Sequence, residues 1–390
     1  MLYLFTKYLV RAGLFFFCKK IVFSDSKTLG RQGPLLLACN HPNSFFDAVL
    51  LGAYFDKPVH YLARGDAFRN PWAGKILTAL KAIPIYRLRE GKEYLALNDA
   101  TFERCSEILK SGGIVLIFAE GLCLHQWKLQ PLKKGTARIA LNVWKEESMQ
   151  QNFTVLPVSL NYSTFKSFNK NVLVHFGKPI SYNQISGEVS EVEQMLTLNK
   201  HIATELEEGM LTEENDEASV RFLLSNLSNK KNNQASLISL LQNRLLKMRS
   251  QALETAAVKL NENKIFSSGS VGVGLNIIAA LLLFIPAIVG FILNLPLYLP
   301  LKYFLKKKTT GTVFYHSSLF VALIIFYPIY AALLSLFLSS LMPQFSFLVW
   351  MTGILTSALC AREFFDHLTA ITNYFGLSAT DRKQLSEVNR

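Results

Sequence analysis

The hydrophobic pattern of the chain changes character twice. From about residue 30 to 180, short apolar runs alternate with longer stretches in which apolar residues recur at helical spacing. Such alternation is typical of an α/β domain with a largely parallel sheet, which we place at residues 29–180. The predicted strands are 35–39, 59–63, 83–86, 114–118, 155–160 and 172–176, and the predicted helices are 44–54, 70–80, 93–110 and 136–144.

Residues 181–264 have the pattern of helices without strands between them. Apolar residues recur every three or four positions in two stretches, and a polar run at 228–234 separates these. We predict a helical arm with a loosely ordered break, and nothing in its residues identifies chemistry. The recurring apolar positions are Met195, Leu198, Ile202, Leu206, Leu237, Leu241, Leu245 and Met248.

Residues 265–362 form a third, strongly apolar region that we predict to lie in a membrane. Because a spanning helix needs about 20 apolar residues, spans are predicted at about 317–341 and 345–361. The stretch 275–301 is interrupted by prolines, and there we predict a re-entrant or kinked hairpin. The alternative for this stretch is one tilted, kinked span.

A lysine cluster at 302–308 sets the expected orientation. Because positively charged loops face the cytoplasm, we place this cluster and the tail 363–390 on the cytoplasmic side. With a hairpin at 275–301, the α/β domain of this integral membrane protein also lies on the cytoplasmic face. A single span there would put the domain on the opposite face.

The N-terminal segment 1–28 is apolar but carries Lys7 and Arg11. This pattern predicts a helix at the membrane interface whose basic side chains reach the lipid headgroups. The alternative is an ordinary first helix that packs on the core. No cleavage site of small residues follows, so a secretory signal is not expected.

Composition agrees with a lipid environment. The net charge is +13, and half of the residues are hydrophobic. A basic excess favours nucleic acid, anionic lipid or phosphorylated substrates, and the hydrophobicity favours lipid, so we expect no nucleic-acid partner. The five cysteines show no metal-site spacing, which predicts reduced thiols in a cytosol-facing protein and no metal site.

The segment LLLACNHPNSFFDAVLLG places a histidine at the end of an apolar strand. The strand stops at Asn40, so His41 lies at the carboxyl edge of the sheet, where α/β proteins build their sites. Ser44 is a suitable N-cap for the next helix, and Asp47 lies one turn into it. A carboxylate that holds one ring nitrogen of His41 leaves the other able to accept a proton. With no serine in an elbow sequence and no cysteine beside the pair, we predict a general base that acts on a substrate hydroxyl.

Three later blocks strengthen this prediction, which would otherwise fit an ordinary loop histidine. KAIPIYR ends at Arg87, GIVLIFAEG brings Glu120 and Gly121 to a strand end before LQPLKKGTAR, and VLPVSLNY carries Pro157. In this order the blocks resemble the glycerol-3-phosphate and lysophosphatidate acyltransferase superfamily, with its His–Asp block, its block ending in Arg, its Phe-Pro-Glu-Gly block and its proline-bearing strand. The membrane segments resemble a subgroup of membrane-bound glycerol-3-phosphate acyltransferases with spans after the catalytic domain.

The chain departs from the family pattern in two places. The His–Asp spacing is one residue longer than usual, as in that subgroup. Ala119 replaces the proline of Phe-Pro-Glu-Gly, and LCLHQWK, which includes His125, replaces the small polar and basic residues that usually follow. An arginine credited with binding phosphate is therefore missing from its place. Lys133, Lys134 or Arg138 could substitute, and the identity of the acceptor stays open.

The resemblance implies a role for each block. His41 is the base, Asp47 is its orienting partner, and Arg87 contacts the phosphate through its guanidinium. His125 could line the pocket. Acceptor binding is assigned to Asn43, Ser44, Arg87, Glu120, Gly121, Lys133, Lys134 and Arg138, and the acyl-donor channel to Pro157.

The implied function is transfer of a fatty acyl group from an acyl thioester to a hydroxyl of glycerol 3-phosphate or 1-acylglycerol 3-phosphate, in phospholipid biosynthesis. Acyl-coenzyme A or acyl carrier protein supplies the acyl group as co-substrate, and no other cofactor is expected. Two alternatives remain open: a non-catalytic lipid-binding or scaffold protein on the same fold, and an O-acyltransferase that acts on another lysolipid or an amino-acid lipid. The expected partners are membrane lipids, the acceptor and, for one donor, acyl carrier protein.

Overall fold

A computed structural model of the chain describes residues 2–86, 96–187, 190–212, 217–226, 237–250, 254–260, 266 and 270–389. Its strands are β1 (Cys18–Phe23), β2 (Leu35–Cys39), β3 (Val59–Arg64), β4 (Ala82–Ile85), β5 (Ile114–Phe118), β6 (Thr154–Tyr162) and β7 (Lys170–Phe176). They form one sheet in the order β1-β7-β6-β2-β5-β3-β4. Neighbours are parallel except β6 and β7, which confirms the prediction of a largely parallel sheet.

The α-helices of the described residues cover both faces of this sheet and continue beyond it. They are α1 (Leu2–Phe17), α2 (Phe45–Tyr54), α3 (Pro71–Ala79), α4 (Leu97–Lys110), α5 (Gly135–Trp144), α6 (Glu147–Asn152), α7 (Glu191–Glu208), α8 (Glu217–Ser225), α9 (Leu237–Ser250), α10 (Glu254–Val258), α11 (Ser270–Thr309), α12 (Tyr315–Leu341), α13 (Phe347–Gly376) and α14 (Ala379–Asn389).

The centre of the sheet is buried on both sides. In β2, Leu35 and Leu37 pack into the core beneath α1, α2, α8 and α9, whereas Leu36 and Ala38 pack beneath α4, α5 and α7. A parallel strand covered on both faces needs a continuous apolar run, and the sequence LLLAC supplies one.

The residues predicted as a helical arm pack against the sheet. Leu198, Ile202 and Leu206 of α7 are fully buried on one face, and α8 and α9 contribute to the core on the other face. The predicted break at 228–234 lies outside the described residues.

The N-terminal segment 1–28 holds a helix and a strand. α1 ends at Phe17, and β1 follows it at the edge of the sheet, parallel to β7. The sequence CKKIVF did not reveal this strand, because two lysines interrupt a short apolar run.

The basic side chains of α1 do not extend toward lipid headgroups, which corrects our prediction. Lys7 and Arg11 turn inward and donate to backbone carbonyls at the carboxyl end of α2, where cations are favoured by the helix dipole. The acceptors are Ala53, Tyr54, Phe55 and Asp56. One face of α1 therefore packs on the domain, and the opposite face exposes Leu2, Leu4, Phe5, Tyr8, Phe15 and Phe16.

Three C-terminal helices, α11, α12 and α13, are long and apolar enough to cross a membrane. α12 covers the predicted span 317–341. α13 covers most of the span predicted at 345–361 and continues to Gly376, so part of the predicted tail is helical. The predicted hairpin at 275–301 is wrong, because α11 is continuous through Pro286, Pro296 and Pro300.

α11 makes close contacts with neighbouring helices near these prolines. A proline removes one backbone N–H, and in apolar helices such losses are tolerated when side chains and neighbouring helices compensate. Asn294 donates to the Gly290 carbonyl, and Tyr330 of α12 donates to the Leu293 carbonyl. Gly290 also lets α13 approach closely, since a Cβ there would overlap the Ser357 carbonyl.

Candidate active site

The central strand β2 leads directly into the candidate site. Asn40 follows it, and its side-chain amide extends the pairing with β6. Nδ2 donates to the Leu160 carbonyl at 3.1 Å, and Oδ1 accepts from the Leu160 N–H at 2.7 Å. Because both atoms of the amide are bonded, the backbone just before His41 is held in place.

His41 and Asp47 face each other across the loop between β2 and α2. Nδ1 of His41 lies 2.9 Å from Oδ2 of Asp47. The imidazole stacks on Phe118, the last residue of β5, with ring centroids 3.7 Å apart, and His41 is 9% exposed. Since Nδ1 faces the carboxylate, Nε2 is the nitrogen that can take a proton from an alcohol.

Asp47 is fully buried and accepts three hydrogen bonds. Besides His41, its Oδ2 accepts from the Asn43 N–H at 2.9 Å, and its Oδ1 accepts from the Tyr162 hydroxyl at 2.7 Å. A buried carboxylate is tolerated when its oxygens are bonded in this way. Burial and the charge of Asp47 raise the pKa of Tyr162 well above its ordinary value, so this hydroxyl remains a donor.

Ser44 has an unusual backbone conformation at the start of α2. Its φ of 57° and ψ of −151° lie in a region that costs residues other than glycine about 1–3 kcal/mol. The next turn begins with the Asp47 N–H bonded to the Ser44 carbonyl at 3.1 Å. The strained turn therefore aims Asp47 back at His41.

Glu120 lies beside this pair at the carboxyl end of β5. The Ala119 N–H extends β5 by donating to the Cys39 carbonyl at 2.9 Å, and Oε1 of Glu120 accepts from the His41 N–H at 3.1 Å. Burial raises the pKa of Glu120 to about 7, against the opposing effect of that N–H bond; the charge of Asp47 raises it further. Glu120 thus ties the two strand ends together.

The turn after Glu120 depends on a glycine. Gly121 has a φ of +66°, and a Cβ there would lie 2.9 Å from Cγ of Lys133. Lys133 is exposed beside this turn, and Lys134 is exposed where α5 begins. Arg138 points to α4 instead, where it pairs with Asp99 at 2.9 Å and lies over the Phe102 ring.

Of two other predicted site residues, one lies elsewhere and the other is not placed by the structure. Pro157 is buried in β6 and pairs with Ala38 of β2, three residues before His41. It lies one residue beyond the last paired residue of β6 and β7, and its carbonyl accepts a hydrogen bond from the Gly177 N–H. Arg87 lies outside the described residues, so the structure does not place it.

A buried lysine near Asp47 did not appear in the sequence prediction. Lys170, at the start of β7, is 1% exposed and donates to the Phe165 carbonyl at 3.1 Å. Its ammonium lies 5.2–5.7 Å from the centroids of three rings, a cation–π arrangement, and burial lowers its pKa to about 8. The rings belong to Phe17, Phe46 and Tyr162.

Two further contributors were also missed. Tyr162 could have been found, because it ends the proline-bearing strand and β6 lies beside β2. Ser317, at the start of α12, donates its hydroxyl to the Asn43 carbonyl at 3.1 Å, and no local signal could predict a contact with a residue so distant in the sequence.

The arrangement has the parts of a general base oriented by a carboxylate. Among the described residues, no group of three or more His, Cys, Asp or Glu side chains could hold a metal ion. In this arrangement Nε2 of His41 can withdraw a proton from an alcohol.

Comparison with known proteins supports this reading. Residues 20–161 match the family model described as Acyltransferase. The 1-acyl-sn-glycerol-3-phosphate acyltransferase of Bacillus subtilis (strain 168) is 28% identical over 117 residues, which are 30% of this chain and 54% of that protein. The match thus spans about half the length of this relative.

One solved structure is also similar. It is the crystal structure of the 1-acyl-sn-glycerophosphate (LPA) acyltransferase, PlsC, from Thermotoga maritima, with a TM-score of 0.38 and 19% identity over 53% of this chain and 77% of that one. The family match covers the ordered blocks between β2 and β6, which confirms the resemblance of residues 20–161 to the acyltransferase family.

Proposed function

We propose that this protein is a membrane-bound O-acyltransferase of phospholipid biosynthesis. It transfers a fatty acyl group from an acyl thioester to a hydroxyl of glycerol 3-phosphate or 1-acylglycerol 3-phosphate. The observation that carries the proposal is the His41–Asp47 pair, 2.9 Å apart at the carboxyl edge of the sheet. The family match and the name of the Bacillus subtilis relative support the substrate class.

The transfer proceeds through a tetrahedral intermediate. Nε2 of His41 takes the proton of the acceptor hydroxyl, and the oxygen forms a bond to the thioester carbonyl carbon. The resulting oxyanion collapses, the carbon–sulfur bond breaks, and the leaving thiolate takes the proton from His41. Asp47 holds the imidazole in one tautomer and stabilises its charged form. No acyl-enzyme forms.

The identities of the acceptor and of the acyl donor are more specific parts of this proposal. Lys133 and Lys134 are exposed close to the Glu120–Gly121 turn, where ammonium groups can attract a phosphate. Arg138 is paired with Asp99, so we assign it a smaller part in phosphate binding than the two lysines. Acyl-coenzyme A and acyl-acyl carrier protein are both compatible donors, and an acceptor such as another lysolipid keeps the same chemistry.

The lysine cluster supports a cytoplasmic catalytic domain. Tyr298 of α11 packs on Phe168 of the α/β domain, with ring centroids 5.8 Å apart. Lys302, the first lysine of the cluster, lies over the Tyr298 ring. The cluster and the domain are therefore neighbours although α11 is one continuous helix, so the opposite-face arrangement expected for a single span does not apply. The positive-inside rule favours the cytoplasmic side for both.

The test compares wild-type protein with His41→Ala in detergent, using labelled acyl-coenzyme A or acyl-acyl carrier protein and a panel of acceptors. Loss of the general base should lower the transfer rate at least a hundredfold. His201→Ala, an exposed histidine on α7, is the matched control and should keep the wild-type rate. Near-normal transfer by His41→Ala would refute the mechanism. Absence of wild-type transfer to every acceptor would favour the non-catalytic alternative.

A further inference from the structure

The LCLHQWK segment, residues 122–128, departs from the family pattern and lies against the catalytic loop. Sγ of Cys123 accepts a hydrogen bond from the Ser44 N–H at 3.0 Å. Nε1 of Trp127 donates to the Tyr162 carbonyl at 2.8 Å. Two side chains of the segment therefore bond the backbone on two sides of the candidate active site.

Both partners of this segment are themselves bonded to Asp47. The Ser44 carbonyl accepts from the Asp47 N–H at 3.1 Å, and the Tyr162 hydroxyl donates to Oδ1 of Asp47 at 2.7 Å. Cys123 and Trp127 are therefore each separated by a single residue from the carboxylate of the catalytic pair.

Trp127 is held in place by burial and by ring contacts. It is 8% exposed, and its ring packs on Phe165 with centroids 4.3 Å apart. His125 of the same segment stacks on Phe165 as well, and the Phe165 ring also contacts the ring of Tyr162. A fixed indole N–H on the Tyr162 carbonyl holds the last residue of β6, and with it the direction in which the Tyr162 side chain leaves the strand.

Ser44 needs support from its surroundings, because its φ of 57° and ψ of −151° are unfavourable for a residue other than glycine. Such a conformation persists only where neighbouring groups hold it. The Ser44 N–H is held by Cys123 on one side, and the Ser44 carbonyl is bonded to Asp47 on the other. Since sulfur is a weak acceptor, we expect this contact to contribute less than the indole N–H.

We propose that the LCLHQWK segment positions Asp47 for its work on the general base. Trp127 acts through Tyr162, and Cys123 acts through Ser44, so both are positioning residues. This inference rests on the proposed function. Because small polar and basic residues occupy this place in the family pattern, this mode of support belongs to the departure of the chain from that pattern and not to the shared blocks.

The first test compares two tryptophans with matching local contacts. Trp127→Phe keeps a ring on Phe165 and removes the N–H that bonds Tyr162. The control is Trp144→Phe, because Trp144 is also buried, donates to the Phe153 carbonyl at 3.3 Å and packs on the Phe153 ring, on the other face of the sheet. We expect Trp127→Phe to lower kcat about five- to tenfold with little change in KM, and Trp144→Phe to keep kcat even if its melting temperature falls as much.

A smaller effect is expected at the thiol. Cys123→Ala removes the acceptor of the Ser44 N–H and should lower kcat about threefold, again with little change in KM. Cys360→Ala is the control, because Cys360 is a half-buried thiol like Cys123 but lies on α13. Equal kcat values for these two variants would refute the part assigned to Cys123.

A double-mutant cycle tests the route from Trp127 to Asp47. If Trp127 acts through the Tyr162 hydroxyl, adding Trp127→Phe to Tyr162→Phe should lower kcat no further than Tyr162→Phe alone does. If the losses of the two single variants multiply in the double variant, the route through Tyr162 is refuted.

Hydrogen–deuterium exchange keeps this inference distinct from the proposed function, because it requires no turnover. Mass spectrometry follows the peptide that covers residues 41–47, and its exchange should be about tenfold faster in Trp127→Phe but unchanged in Trp144→Phe. If the wild type transfers acyl groups, kcat decides: equal values for the two tryptophan variants refute the inference and leave transfer by His41 untouched. If the wild type transfers none, the proposed function fails and exchange decides: faster exchange in Trp127→Phe alone supports the positioning contact, and equal exchange refutes it.

Discussion

Two neighbouring regions of this protein are buried and polar, but they differ in how completely their atoms are bonded. In the His41 loop, both oxygens of Asp47 and both polar side-chain atoms of Asn40 have partners. In the second region, at the start of α12 and in the segment after Glu120, Nδ1 of His316 and Nε2 of His125 have no partner among the described residues. The two regions touch at Asn43, whose backbone belongs to the first and whose side chain belongs to the second.

This difference bears on positioning. A side chain with all of its hydrogen bonds made keeps one orientation, as a general base and its carboxylate must. We therefore expect substitutions in the His41 loop to lower kcat.

The largest effect is expected from Asp47→Asn. An amide at this place cannot stabilise the imidazolium, and its NH2 group competes with the donors from His41, Asn43 and Tyr162. We expect kcat to fall about 10³–10⁴-fold, as for comparable changes in catalytic triads, with little change in KM. Single-turnover transfer of a labelled acyl group measures this. Asp381→Asn makes the same change in a partly exposed ion pair with Lys259, distant in the chain from the site, and should retain full activity.

The sequence predicted the hydrogen-bonded His41 loop far better than the region whose buried polar atoms have no partner. His41 and Asp47 are six positions apart on a strand end and a helix start, and their meeting follows from local geometry. Glu120 joins them because β2 and β5 are neighbours in the sheet. The ordered blocks indicated that Glu120 belongs to the same site, but the strand order was not predicted. The approach of His316 depends on how α12 packs against the α/β domain, and no short-range pattern encodes that contact.

The wrong predictions have similar physical causes. Prolines in 275–301 indicated a break, yet α11 is continuous and packs closely against α13 at Gly290. Lys7 and Arg11 indicated lipid headgroups, yet the carboxyl end of α2 offers them four carbonyls. In each case a tertiary partner that the local sequence does not reveal decided the outcome.

Glu120 shares a feature with each region. It accepts a hydrogen bond from the His41 N–H, but it is buried away from water. Its pKa is raised from 4.5 to about 7 in the folded protein. Between these pH values the folded state binds more protons than the unfolded state. The free energy of unfolding should therefore fall as pH rises through this window, by about 3 kcal/mol in total.

Glu120→Gln removes this titration and should flatten the pH dependence. Thermal unfolding of both proteins at about pH 5 and about pH 8 measures the difference, and the wild type should lose stability relative to the variant as pH rises. Glu107→Gln, at an exposed residue paired with Arg104, should follow the wild-type curve. Parallel curves for wild type and Glu120→Gln would show that Glu120 titrates near its ordinary value.

The smallest effect is expected at the bond that joins the two regions. Ser317→Ala removes the hydroxyl that bonds the Asn43 carbonyl, at a cost of about 1 kcal/mol. Because the Asn43 N–H holds Asp47, a shift of this backbone should lower kcat about three- to fivefold. Ser335→Ala loses a similar bond within α12, so it should cost similar stability and leave kcat unchanged. Equal kcat values for the two variants would mean that α12 only anchors the domain, whereas the expected difference would show that an apolar C-terminal helix helps to position the general base.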